Sequence, residues 1–191
     1  MVLSETTVTA SRLPLSVHDA PGTTVVDRDQ IVAANATDLT ALLRQVAGLH
    51  VDRPGGRGGI TSVYLRGSDP NFTQVMVDGV KVNDPTNARG GSFDFSTLPV
   101  DSIERIEIVR GPVSSVHGSD ALGGVINILT RAGAPGAEYS LDLGLGSHDL
   151  ADGSITARGP IGERLSYALT VGHADAGDIV QNSRFNGSRF S

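Results

Sequence analysis

At 191 residues and a formal net charge of −6, the chain has room for one domain and part of a second, and its charge excludes a general nucleic-acid binder, which needs clustered cations to displace counterions. It contains no cysteine, so disulfides, thiolate metal sites and cysteine nucleophiles are excluded together. With 24 glycines, no tryptophan and 39% hydrophobic residues, the composition suits short strands and tight turns better than an aromatic-anchored core.

Residues 1–21 carry little periodicity and contain two helix breakers, Pro14 and Pro21; they read as an extended leader without the basic start of a signal peptide. TTVV, residues 23–26, is a short strand, and DRDQIVAAN after it makes a helical turn capped by Asp27 or Asp29. The clearest helix is ATDLTALLRQVAGLHV. Thr37 or Asp38 serves as its N-cap, Leu39, Leu42, Leu43 and Val46 recur at helical spacing, and Gly48 stands where a left-handed residue ends a helix. The leucine stripe is core packing.

Strands follow. LHVDR leads into the loop PGGRGG, and SVYLRG ends at a glycine. QVMVDGVKVND, residues 74–84, reads as strand, Asp-Gly turn, strand, the strongest short-range hairpin signal. The polar loop PTNARGGSFDF precedes STLPVDSIERIEIVRG, and a Gly- and Ser-rich corner joins that strand to GVINILT. Glu104 and Glu107 fall one on the polar side and one near a strand edge, with Arg105 or Arg110 as pairing partners.

From Ala137 the period is two. Tyr139, Leu141, Leu143 and Leu145 alternate with Ser140, Asp142, Gly144 and Gly146; LADGSITARG and RLSYALTVGHA repeat the alternation. Three strands of this kind match outer-membrane barrel segments, and periodicity alone leaves an ordinary meander on a soluble core equally open.

Catalytic and cofactor signatures are not met. The phosphate-loop pattern fails because Lys81, the only lysine, sits in a hairpin, and GGRGGI lacks dinucleotide spacing. There is no G-x-S-x-G elbow, and His18, His50, His117, His148 and His173 are scattered. Asp175 and Asp178 make a loop acceptor pair better explained by solvation than by calcium. The expectation is no enzyme, no cofactor and no metal.

LLRQVAGLHV, SVYLRG, VMVDGVKVND, SIERIEIVRGP and HGSDALGGVINILT occur in this order. The chain thereby resembles the plug domain of TonB-dependent outer-membrane receptors over residues 22–131, closest to the cobalamin and catecholate-siderophore branches. The resemblance implies an α+β fold: a small mixed-sheet plug with short helices, then antiparallel transmembrane strands of an incomplete barrel over residues 132–191. The leader, residues 1–21, contains SETTVTASR, similar to the Ton box captured by TonB through strand addition, and Glu5, Thr6, Thr7, Val8 and Thr9 are the implied contacts. Thr6 and Thr7 depart from the aliphatics usual there. The short leader implies no additional signalling domain.

Further roles follow from the resemblance. Arg66 and Arg110 match plug arginines that meet barrel carboxylates. Asn71, Phe72, Asn83, Asn87 and Arg89 lie on two loops expected to share the outward face and touch substrate. The Gly-rich corner is structural and holds no cofactor. The implied function is import of a scarce solute, a ferric siderophore or cobalamin, through the outer membrane with the N-terminus periplasmic, lipid around the barrel, and TonB as energy source. The alternative is a soluble periplasmic ligand-binding module without a pore.

Overall fold

The computed structural model describes residues 7–8, 15–16, 22–36, 38–53, 61–84, 86, 93, 95–111, 118–145, 151–162 and 165–175. In chain order the elements are β1 Thr7–Val8, β2 Leu15–Ser16, β3 Thr23–Val26, α1 Arg28–Ala34, α2 Leu39–Arg44, β4 Leu49–Asp52, β5 Ser62–Leu65, β6 Thr73–Val77 and β7 Val80–Lys81. β8 Ile103–Arg110 and β9 Gly124–Thr130 complete the first unit, and β10 Glu138–Leu145, β11 Ala151–Ile161 and β12 Leu165–Asp175 form the second.

Local chemistry starts both helices. Asp27 caps α1 in a reciprocal box: its Oδ1 accepts from Gln30 N at 2.9 Å, and Gln30 Oε1 accepts from Asp27 N at 3.2 Å. Asp38, rather than Thr37, caps α2, with Oδ1 accepting from Ala41 N at 2.8 Å. α2 stops at Arg44, short of the expected stripe. Gln45 and Val46 donate three residues back, to Leu42 O and Leu43 O, which tightens the last turn before Gly48 turns left-handed at φ 81°.

Five strands form the central sheet in the order β3-β8-β9-β6-β7, with only β6 and β9 parallel. One face is the main core: Ile106, Ile108, Ile126, Ile128 and Val75 join Leu39, Leu42, Leu43 and Phe95, all buried. β4 and β5 pair separately as an antiparallel hairpin and add Val51, Val63 and Leu65 to this core. The predicted Asp-Gly turn is present, with Asp78 at φ 50° and Gly79 at φ 80° linking β6 to β7.

The opposite face is mixed. Met76, Ala121 and Val125 pack there with Val25 and Val109, and Lys81 pairs with Asp120 to hold the 119–121 turn over them. Glu107 corrects an expectation. It lies at no edge, because β8 runs between β3 and β9, opposite Val25 on one side and Asn127 on the other. Its side chain is fully buried and paired with Arg105, whose Nε donates to Oε1 at 2.9 Å. Glu104, half-exposed, stands 3.8 Å from Arg131 instead.

β10, β11 and β12 form an antiparallel meander in register: Leu141, Ile155 and Val171 make one cross-strand row, and Tyr139, Ala157 and Leu169 the next. Here the usual burial is inverted. Leu143 and Leu145 are 78% and 92% exposed, whereas Ser154 and Thr156 on the other face are 7% and 2% exposed. Water does not select a sheet that buries hydroxyls and exposes leucines; hydrocarbon does.

Candidate functional site

The loop before β6 and the segment after β7 meet at one end of the central sheet. Asn71 and Phe72 occupy a 3-10 turn, Pro70–Phe72, entering β6, with Phe72 42% exposed. Asn83 lies beside the same strand end, so the structure brings these three together. Its amide is already committed, however: Oδ1 accepts from Val75 N at 2.7 Å and Nδ2 donates to Thr73 O at 3.0 Å. Asn83 therefore continues the pairing that two-residue β7 leaves unfinished. Just beyond it, the hydroxyl and then the backbone N–H of Thr86 hold the exposed Asp84 carboxyl below its usual range, closing a local turn. Asn87 and Arg89 lie outside the described residues.

Arg66 and Arg110 are close enough to repel. Burial first, and Arg66 second, lower the Arg110 pKa. Arg110 grips its own domain: Nη1 donates to Thr24 Oγ1 at 2.5 Å, Nη2 to Ala47 O at 2.6 Å, and its backbone N–H to Gly22 O at 3.1 Å. Gly48 is the residue that lets this side chain pass, since a Cβ there would stand 3.2 Å from Arg110 Nε. Arg66, left-handed at φ 53° and exposed, has no carboxylate partner among the described residues.

The Gly-rich corner is a packing device. Gly123 N donates to Phe72 O at 2.8 Å, and Gly111 N to Gly123 O at 3.1 Å. At Gly124, φ 143°, a Cβ would overlap Val109 O and Leu65 Cδ2. Residues 112–117, expected to form a helical turn, lie outside the described residues.

Of the expected TonB contacts, Thr7 and Val8 form β1, facing Ser16 and Leu15 of β2; Glu5, Thr6 and Thr9 lie outside the described residues.

The first unit touches the meander at residues the sequence reading did not single out. Ser154 Oγ of β11 donates to Asp101 Oδ2, and Asp101 Oδ1 stands 3.8 Å from Arg28 Nη2. Arg131 Nε stands 3.8 Å from Glu104 Oε2, and on the meander Arg158 and Glu138 pair at 2.6 Å. A cleft of about 780 Å³ opens beside this seam, lined by Arg28, Asp101, Asp142, Asp152 and Ser154 among others. The period-two alternation of β11, which puts Ser154 and Arg158 on its polar face, is the signal that could have pointed to them; nothing local marks Asp101. No group of three or more metal-ligating side chains is placed to hold an ion among the described residues, and no helix there is long and apolar enough to cross a membrane.

A small mixed sheet with short helices, touching the polar face of a three-stranded antiparallel meander, is the arrangement these residues build. The model of the TonB-dependent receptor plug domain matches residues 16–125. Among solved structures, the chain is similar to a mutant of the ferric enterobactin receptor PfeA from Pseudomonas aeruginosa, at 28% identity and TM-score 0.64, covering 81% of this chain and 24% of that one. It is similar to the siderophore receptor PirA of the same organism at 26% identity and TM-score 0.62, covering 82% and 28%. FpvAI in its pyocin S2 complex shares the fold at 23% identity and TM-score 0.72, covering 88% and 21%. The chain belongs to the TonB-dependent receptor plug domain family. It spans about a quarter of the length of the receptors it matches.

Proposed function

We propose that this chain supplies the plug and first wall strands of an importer that takes up a ferric siderophore across the outer membrane, driven by TonB. The observation that carries the reading is the inverted meander: its leucine face is exposed, while Ser154 and Thr156 on the opposite face are buried. β11, Ala151–Ile161, extends ~33 Å at about 3.3 Å per residue, and at the roughly 40° tilt of barrel strands that length spans the roughly 25 Å apolar band of barrel proteins. A soluble binding module has no use for such a band, which disfavours that alternative.

Siderophore is preferred over cobalamin because relatives above 25% identity are named as a ferric enterobactin receptor and a siderophore receptor. In this reading residues 5–9 hand their backbone to TonB, residues 22–131 block the lumen, and residues 132–191 begin the wall. The exposed Phe72, with Asn71 and Arg89, faces the ligand, while Asn83 shapes the loop rather than touching it. Arg66 remains assigned to a barrel carboxylate, while Arg110 is held within the plug by Thr24 and Ala47.

The test is uptake of labelled ferric siderophores by cells carrying the full-length receptor, with and without TonB. TonB-dependent uptake of a ferric siderophore is expected. Uptake of cobalamin alone, or accumulation indifferent to TonB, would replace the reading.

A further inference from the structure

The seam between plug and wall has a definite centre. Arg28 Nη1 donates to Val100 O at 3.2 Å and Ile103 O at 3.1 Å, clasping both ends of the 3-10 turn Val100–Ser102. The clasp presents Asp101 to the wall with one oxygen near Arg28 and the other accepting from Ser154. Ser154 is itself buried, and its row neighbours Asp142 and Gly172 on the flanking strands are exposed.

A second footing lies one turn away in the chain. Arg131 N donates to Ser102 O at 2.8 Å, its Nε stands 3.8 Å from Glu104 Oε2 of the plug, and its charge is felt by the Arg158–Glu138 pair of the wall. Gly133 fits directly against Ser166 of β12, where a Cβ would overlap the serine side chain. Both footings therefore link residues 100–104 and 131–133 to three adjacent wall strands. The contacts are polar and few, so they fix position without the large apolar burial that would weld plug to wall.

We propose that the Asp101–Ser154 contact is the seat that sets how the plug stands against the barrel wall, with Arg28 as the positioning residue behind Asp101. The proposal rests on the reading of β10–β12 as barrel wall, but not on import. Removing the clasp lets the turn drift, and opposing the seat with like charge lifts the plug from the wall.

The experiment uses the full-length receptor in planar lipid bilayers, with ion leak in the absence of TonB and substrate as readout. Ser154→Asp sets two carboxylates face to face; losing one charge-assisted hydrogen bond predicts about a tenfold rise in leak. The exchange Ser154→Asp with Asp101→Ser restores one carboxylate opposite one hydroxyl, and leak returns to within about twofold of the parent by the same reckoning. Amide exchange at Ser102 and Arg131 follows the same order, quickened by the single change and slowed again by the exchange. A single variant as tight as the parent, or an exchanged receptor that leaks as much as the single, overturns the proposal. Neither readout depends on solute transport, so failure of import and failure of the seat are separable.

Discussion

The Asp78 carboxylate holds Thr130 with both oxygens: Oδ1 accepts from Thr130 N at 2.8 Å and Oδ2 from Thr130 Oγ1 at 2.7 Å. The turn residue of one hairpin thus fastens the far end of β9, the strand that leads out of the plug toward the wall. The left-handed φ of 50° at Asp78 is what aims the side chain there. Asp78→Ala should cost about 1–3 kcal/mol of plug stability, from two lost hydrogen bonds and a residue less tolerant of that backbone. Hydrogen exchange at the Thr130 amide should quicken selectively, while exchange at Ile106 and Ile126 changes only through global stability.

The left-handed glycines are not equivalent. Gly124→Ala combines an unfavourable φ of 143° with overlap onto Val109 O and Leu65 Cδ2, and should cost about 3–5 kcal/mol. Gly67→Ala meets nothing within 4 Å at φ 77°, so only backbone strain of about 1 kcal/mol is expected. Chemical denaturation of the two variants, compared with the parent, separates crowding from strain.

Glu107 is buried on the mixed face with Arg105 as its ion-pair partner. Glu107→Ala should destabilise by about 3 kcal/mol because it takes the buried carboxylate away from the Arg105 guanidinium, whereas Glu107→Gln keeps an acceptor and should cost about half that. Denaturation midpoints in the order parent, Glu107→Gln, Glu107→Ala are expected; equal midpoints would show that the pair contributes nothing.

Val8 occupies β1, whose backbone faces β2 within the chain. Val8→Pro removes a ladder donor and fixes φ, so binding of the TonB C-terminal domain should fall at least ~10-fold while the plug stays folded. Calorimetric titration against that domain decides it, and undiminished binding would move the capture site off residues 5–9.

Much of this molecule is written in short stretches of its sequence. The caps at Asp27 and Asp38, the Asp78-Gly79 turn and the alternation of β10–β12 each depend on residues within a few positions of one another, where backbone preference and period-two burial act directly. Motif order carried the family for the same reason, since it strings such local solutions together. Tertiary structure decided what distant side chains do. Glu107 became a buried ion rather than an edge carboxylate because β8 is flanked by strands from both ends of the plug. Asn83 was drawn into β6, Arg110 onto Thr24 and Ala47, and Asp101 onto Ser154. Each of these contacts is set by the order of strands and by which face meets the wall, and a polar side chain carries no local mark of the partner that will desolvate it.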